Sequence, residues 1–422
     1  MKVLVVGGGG REHAIIKTLK KSDRITKLYS APGNGGIGRE AECAPVKAVD
    51  IAGVIEFTLK NKIDYVIVAP DDPLALGMVD ALEEKGIRCF GPNKAAARIE
   101  SSKVFSKNLM KKYGIPTASY KTFSDSAEAH DYLKSENVKF PVVIKADGLA
   151  LGKGVIIAEN KTLALKAVES IMTEKQFGQS GSIIVIEEFL TGPEVTVLSF
   201  TDGEKIIPMI SSMDHKRVFD GNKGLNTGGM GVIAPNPHYT DKIAAVCEKT
   251  IFLPTVKALQ NEGCAFKGCL YFGLMLTPLG PKVIEYNCRF GDPEAQAVLP
   301  LLKTDLLDVM EAVTDGNLSK IDIKWSDEKS ACVVLASGGY PESYKTGLAI
   351  NGLNENGGAA DDVTIYHAGT KYENGKFYTA GGRVLGITAV ADTLDTALSK
   401  AYKAAEKINF EGMHYRRDIG KY

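Results

Sequence analysis

Within the first 92 residues, short apolar segments at 2–6, 27–30, 64–69 and 88–90 alternate with helix-period patterns at 12–20, 51–61 and 74–85. A strand that is followed by a helix and then by another strand is joined most simply as a parallel pair with a crossover. Repetition of that unit predicts an α/β fold built on a doubly wound parallel sheet. Gly91-Pro92-Asn93 punctuates the end of the pattern, and helices are expected at 93–99 and 101–113.

The 422 residues are enough for about three domains. Lys+Arg and Asp+Glu both number 51, so no net charge favours a nucleic acid or an anionic membrane as partner. No apolar run approaches the ~18 residues of a membrane span, and the N-terminus lacks a signal-peptide pattern. Seven cysteines without a Cys-x-x-Cys pair read as free thiols in a reducing compartment. The expectation is a cytoplasmic protein acting on small molecules.

From 141 the pattern changes. Strands at 141–145 and 155–158 flank Ala146–Gly154, whose glycines lack the spacing of a Walker A loop. This segment reads as a strand–loop–strand lid over a triphosphate or as a plain surface hairpin. Lys145 stands where it could reach an α-phosphate. A helix at 162–173 and a strand at 183–187 complete a small unit. Beyond it, a long helix at 241–261 and strands at 270–277 and 282–285 are expected. A third region follows residue 320, with strands near 331–336, 363–367 and 383–390 and a helix at 393–407.

Residues 284–294 read Ile-Glu-Tyr-Asn-Cys-Arg-Phe-Gly-Asp-Pro-Glu. Alternate side chains of a strand share a face. Glu285, Asn287 and Arg289 therefore fall on one side, and Ile284, Tyr286 and Cys288 on the other. A carboxylate, an amide oxygen and a guanidinium in a row suit magnesium and the phosphates it carries.

Other segments are weaker alone. Gly7–Gly10 follows the first strand, but Glu12 breaks the dinucleotide fingerprint and no acid ends the second strand. A substrate phosphate at the helix N-terminus or a plain tight turn remains. Glu187-Glu188-Phe189-Leu190 could hold an adenine, and Glu194 its ribose. Asp214–Arg217 concentrates charge of both signs, and Asn226–Gly231 could present backbone N–H groups to an anion. No serine or cysteine arrangement points to a covalent nucleophile.

Taken in order, GGGGREH (7–13), APGN (31–34), KADGLALGKG (145–154), IEEFL (186–190), DHKR (214–217), NTGGMG (226–231), EYNCRFGDPE (285–294) and GGRV (381–384) resemble the ATP-grasp superfamily. Within it, the chain is similar to the glycinamide ribonucleotide synthetase family of carbon–nitrogen bond-forming ligases. The resemblance implies an N-terminal domain over 1–101, an ATP-grasp core over 102–320 with a mobile lid at about 118–190, and a C-terminal α+β domain over 321–422. It also implies a monomer that joins glycine to 5-phosphoribosylamine at the expense of ATP. Glu285 and Asn287 would hold magnesium or manganese. Arg289 and Lys145 would serve the chemistry. Lys103, Lys145, Gly152, Lys153, Glu187, Glu188, Phe189, Leu190 and Glu194 would hold the nucleotide. Gly9, Arg11, Asn34, Asp214, His215, Lys216, Asn226, Gly228, Gly229, Arg289 and Asp292 would hold the other substrates. Two positions depart from the family's usual pattern: Asp71-Asp72 replaces a glutamate-bearing turn, and Leu225 stands where a proline is usual.

Overall fold

The computed structural model describes residues 1–149, 154–359 and 362–421. Its N-terminal sheet is wholly parallel, in the order Glu42–Cys43, Lys27–Pro32, Lys2–Gly7, Tyr65–Val68, Cys89–Phe90. Val3, Leu4, Val5 and Val6 are fully buried, as expected for a central strand covered on both faces. The chain winds outward from Lys2–Gly7 on one side and then returns to the other. The carboxyl ends of Lys2–Gly7 and Tyr65–Val68 thus open a crevice at the switch point. The helix expected over 74–85 is two helices, Asp71–Leu76 and Met78–Glu84. Gly77 separates them at φ 93, a left-handed conformation that caps the first helix and that glycine adopts without strain.

A small antiparallel sheet follows, ordered Tyr120–Phe123, Ile184–Glu188, Val142–Ala146, Val155–Ala158. The helices Ser126–Lys134 and Lys161–Val168 pack on it around a core of its own. A second antiparallel sheet runs Ile206–Pro208, Glu194–Asp202, Lys267–Thr277, Gly280–Asn287. The long helix expected at 241–261 is interrupted. Asp241–Cys247 and Leu253–Asn261 are joined through a wider turn at Glu248–Phe252. Pro254 has no N–H to give the carbonyl four residues earlier, and its ring crowds that carbonyl, so the backbone widens ahead of it.

A third antiparallel sheet crosses the expected boundary at 320. Its order is Met213–Asp214, Gly231–Ala234, Lys329–Ala336, Arg383–Ala391, Thr364–His367. Strands from both sides of that position therefore share one hydrogen-bonded layer. No helix among the described residues is long and apolar enough to cross a membrane.

Candidate active site

Strand Gly280–Asn287 carries the polar row. Its register against Lys267–Thr277 shifts between Gly273 and Leu274, which face Glu285 and Val283. Ile284 is the extra residue of that irregularity. It is half-buried rather than seated on the apolar face with Tyr286 and Cys288, because a bulge takes one residue out of the alternation. Beyond it the alternation holds. Tyr286 is buried, packs edge-on to Phe272 and shares a 2.9 Å hydrogen bond with Thr255 Oγ1. Glu285, Asn287 and Arg289 are less buried on the opposite side. Gly273 leaves room for Glu285, since a Cβ there would lie 3.0 Å from the glutamate Cγ.

The row sits among cations. Lys216 Nζ lies 3.3 Å from Glu285 Oε1 and 3.6 Å from Glu194 Oε2. The Lys216 charge, opposed by burial and reinforced by Lys145 and Lys103, pulls the Glu285 carboxyl down to about 2. Arg289 NH2 is 3.0 Å from Glu100 Oε1 and donates to Asn287 Oδ1 at 3.3 Å. Burial alone would lower the Arg289 pKa, but Glu100 and Asp71 raise it. Asp71 stands at the carboxyl end of the parallel sheet. Burial pushes its carboxyl up, while Arg289 and Arg11 bring it below the usual range. The departure at this turn therefore still places an ionised acid near Arg289. Arg289 Nε is buried and has no hydrogen-bond partner among the described residues.

Two lysines approach from the small antiparallel sheet and the helix Lys103–Tyr113. Lys145 Nζ lies 2.9 Å from Glu187 Oε1 and donates to Ile284 O at 3.0 Å. Lys103 Nζ donates to Gly148 O at 2.8 Å, and burial lowers its pKa despite Glu285 nearby. Phe189 is 37% exposed just beyond strand Ile184–Glu188, Leu190 is half-buried, and Glu194 is exposed at the start of strand Glu194–Asp202.

The far side of the site is built from loops and from the ends of strands and a helix. Asp214 and Glu294 are neighbouring carboxylates, each raised first by burial, and Glu294 raises Asp214 further. Arg383 NH1 donates to Asp292 O at 2.6 Å and to Gly228 O at 2.7 Å, and NH2 lies 3.2 Å from Asp292 Oδ2. Burial would raise the Asp292 carboxyl, but Arg383 and Arg11 hold it below its ordinary value.

Residues 1–100, 101–295 and 330–422 match the N, ATP-grasp (A) and C domains of phosphoribosylglycinamide synthetase. The chain belongs to the phosphoribosylglycinamide synthetase family. A phosphoribosylamine–glycine ligase of Caldanaerobacter subterraneus is 51% identical over 99% of both chains. Another, of Clostridium acetobutylicum, is 48% identical over 100% of both. The crystal structure of the Thermotoga maritima phosphoribosylamine–glycine ligase superposes with a TM-score of 0.86 at 33% identity, covering 99% of this chain and 100% of that one. A biotin carboxylase domain of Hydrogenobacter thermophilus shares the fold, with a TM-score of 0.74 at 17% identity over 98% of this chain and 91% of that one.

Family membership implies a divalent cation, and the residues fit one. Ionised Glu285 and the Asn287 amide oxygen are hard donors on one side of one strand. Magnesium takes few protein oxygens and shares its remaining positions with phosphates and water.

Several side chains expected at the substrates of a phosphoribosylglycinamide synthetase also make contacts within the protein. Asn34 donates from Nδ2 to Gly8 O and His367 O, and its Oδ1 accepts from Gly36 and Ile37 N–H. Its hydrogen-bonding capacity is essentially filled, so it fastens loops together. His215 is 5% exposed, accepts from Gly420 N–H at Nε2, and is held neutral by burial and Arg416, with its pKa brought down to about 4. The glycine loop is not an open nest, because Gly228 N–H donates to Tyr340 Oη and Gly229 N–H to Thr227 Oγ1. Gly9 N–H donates to Glu12 Oε2, while Arg11 binds Glu12 Oε1 and Phe290 O. Asn226 ends strand Lys223–Asn226, paired with Arg217. Glu187 gives both carboxylate oxygens to lysines, and Glu188 takes Lys282 and Ser119 N–H. Gly152 and Lys153 lie outside the described residues.

Glu100, Lys107, Glu294 and Arg383 escape a reading by motif. Each meets its partner across a long stretch of chain. Glu100 and Lys107 are polar residues inside helical patterns, where a solvated face is the ordinary expectation. Glu294 and Arg383 carry a signal, since they lie in the EYNCRFGDPE and GGRV segments, although the resemblance gives neither a role.

Proposed function

We propose that this chain ligates glycine to 5-phosphoribosylamine, consuming ATP and releasing glycinamide ribonucleotide, ADP and phosphate. The observation that carries the reading is the ionised Glu285, beside Asn287 and Arg289 and surrounded by Lys103, Lys145 and Lys216. Such a site can gather a triphosphate and neutralise charge without a protein nucleophile. Lys103 and Lys145 hold the nucleotide phosphates, and adenine lies against Phe189 and Leu190. Glu285 and Asn287 would hold a divalent cation, which would offset the charge of the nucleotide phosphates. A glycine carboxylate oxygen attacks the γ-phosphorus, the bond to ADP breaks, and glycyl phosphate forms. The ribosylamine nitrogen then attacks the acyl carbon, phosphate leaves with its bonding pair, and the amine proton passes to solvent. Arg289, whose Nε–H has no partner among the described residues, faces the oxygens on which charge develops. Asp214 and Asp292 serve the glycine and ribosylamine side. The same reading places the chain in the cytoplasm, with small molecules as its partners.

Product analysis tests this. ADP and phosphate are expected, with turnover only when glycine and the ribosylamine are both present. AMP and pyrophosphate as products, or full turnover without glycine, would overturn it.

A further inference from the structure

Helix Lys103–Tyr113 carries Lys103 and Lys107 one turn apart, on one face. Lys107 is 3% exposed. Its Nζ lies 2.8 Å from Glu187 Oε2 and 2.8 Å from Thr117 Oγ1. Thr117 Oγ1 in turn donates to Val283 O at 2.7 Å. The other oxygen of Glu187 faces Lys145 Nζ at 2.9 Å, and Lys145 donates to Ile284 O. Lys145 and Glu187 are also buried, at 4% and 3% exposure. One carboxylate is thus divided between two ammonium groups. Both ends of the triad are tied to the backbone of the strand that bears Glu285 and Asn287.

The charges decide what this arrangement does. Two lysines and one glutamate leave one net positive charge within the triad. Burial, countered by Glu187 and aided by Lys145, draws the Lys107 pKa down to about 8, which reflects that crowding. A buried charge is costly until an opposite charge meets it. Were Lys107 absent, Glu187 would have Lys145 as its one lysine partner, and the pair would be neutral.

We propose that Lys107 is a positioning residue for the nucleotide: by sharing Glu187, it keeps Lys145 fixed in place yet not neutralised, so that Lys145 can meet a nucleotide phosphate. This rests on the reading of Lys145 as a phosphate ligand given above. Lys107 itself touches no reacting atom.

The test compares MgATP binding by calorimetry, and KM for MgATP and for glycine, in Lys107→Met and in Lys107→Met/Glu187→Gln. The single variant is expected to weaken MgATP at least tenfold with little change in KM for glycine. The double variant removes the carboxylate that would neutralise Lys145 and is expected to regain at least threefold of that loss. A merely structural lysine would give no such recovery. MgATP affinity unchanged in the single variant, or a double variant as weak as the single, would overturn the proposal. If the single variant does not fold, the double variant is compared with the unaltered protein, because it leaves no unpaired carboxylate in the triad. A loss under tenfold then supports the proposal, and a larger one overturns it. Direct MgATP binding keeps this question apart from the reaction, since failure of glycine-dependent ADP release would sink the functional reading alone.

Discussion

Glu285 and Tyr286 adjoin in sequence and have opposite surroundings. Glu285 is ionised among lysines, whereas Tyr286 is closed into an apolar layer with its hydroxyl on Thr255. Glu285→Ala should lower turnover by about a hundredfold or more, as for loss of a preorganised charge-bearing group. Tyr286→Phe should cost about 1 kcal/mol of stability, the worth of one buried hydrogen bond, and spare turnover. Steady-state rates and urea unfolding of the two variants check this, and equal losses of rate would contradict the strand-face assignment. His215 and His367 make a second residue-scale prediction. Burial first, with Arg416 beside His215 and Lys17 near His367, brings each down to about 4. A histidine whose folded pKa is depressed binds its proton more readily in the unfolded chain. Between about pH 6.5 and 4 the unfolded state therefore holds more protons, and stability falls as pH is lowered, by up to about 1.4 kcal/mol per pH unit for each. Urea midpoints at pH 7 and 5 should show a smaller drop in His367→Gln than in the unaltered chain. An identical drop would mean that His367 does not titrate as its burial implies.

Among the elements, the hairpin of Arg217–Phe219 and Lys223–Asn226 has little core of its own, with Phe219 and Leu225 about half exposed. The C-terminal tail holds it. Arg416, 1% exposed, grips Asp418 through Nε and NH2 and donates from NH1 to Arg217 O. Asp418 also accepts from Gly221 N–H. Leu225 thus lies in a hairpin braced from outside. Asp418→Ala would leave the Arg416 guanidinium without its carboxylate. A loss of about 2 kcal/mol is expected, discounted from a fully buried pair because Asp418 keeps some exposure. Denaturant unfolding measures it, and a loss below about 0.5 kcal/mol would make the contact an ordinary surface pair.

For the whole molecule, the sheet that runs from Met213–Asp214 to Thr364–His367 is the organising feature. Val232 pairs with Cys332 and Ile233 with Ala331, so chain segments about a hundred residues apart are hydrogen-bonded neighbours. Arg383, on the same sheet, braces Gly228 and Asp292 at the site. Ending the chain at residue 328 would strip Gly231–Ala234 of one partner strand and bare the apolar residues packed beneath it. The shortened chain should lack cooperative unfolding and ATP turnover, as judged by circular dichroism and ADP release. A soluble fragment with a sharp transition would show instead that the C-terminal third is independent of the rest.

The sequence determined whatever depends on local period and on chemical type. Alternating apolar segments specify parallel strands with crossover helices, and a two-residue period puts Glu285, Asn287 and Arg289 on one side of a strand. Single residues also decide local breaks, as Gly77 and Pro254 do, although each was hidden inside a longer helical pattern. The tertiary structure alone decided which polar groups meet one another within the protein. Gly228, Gly229 and Asn34 carry suitable donors, but Tyr340, Thr227, Gly8 and His367 occupy them. Glu187 is divided between Lys107 and Lys145, a pairing that no local spacing announces. A period tells which way a side chain faces, whereas its hydrogen-bonding and charge state depend on partners brought near by the fold.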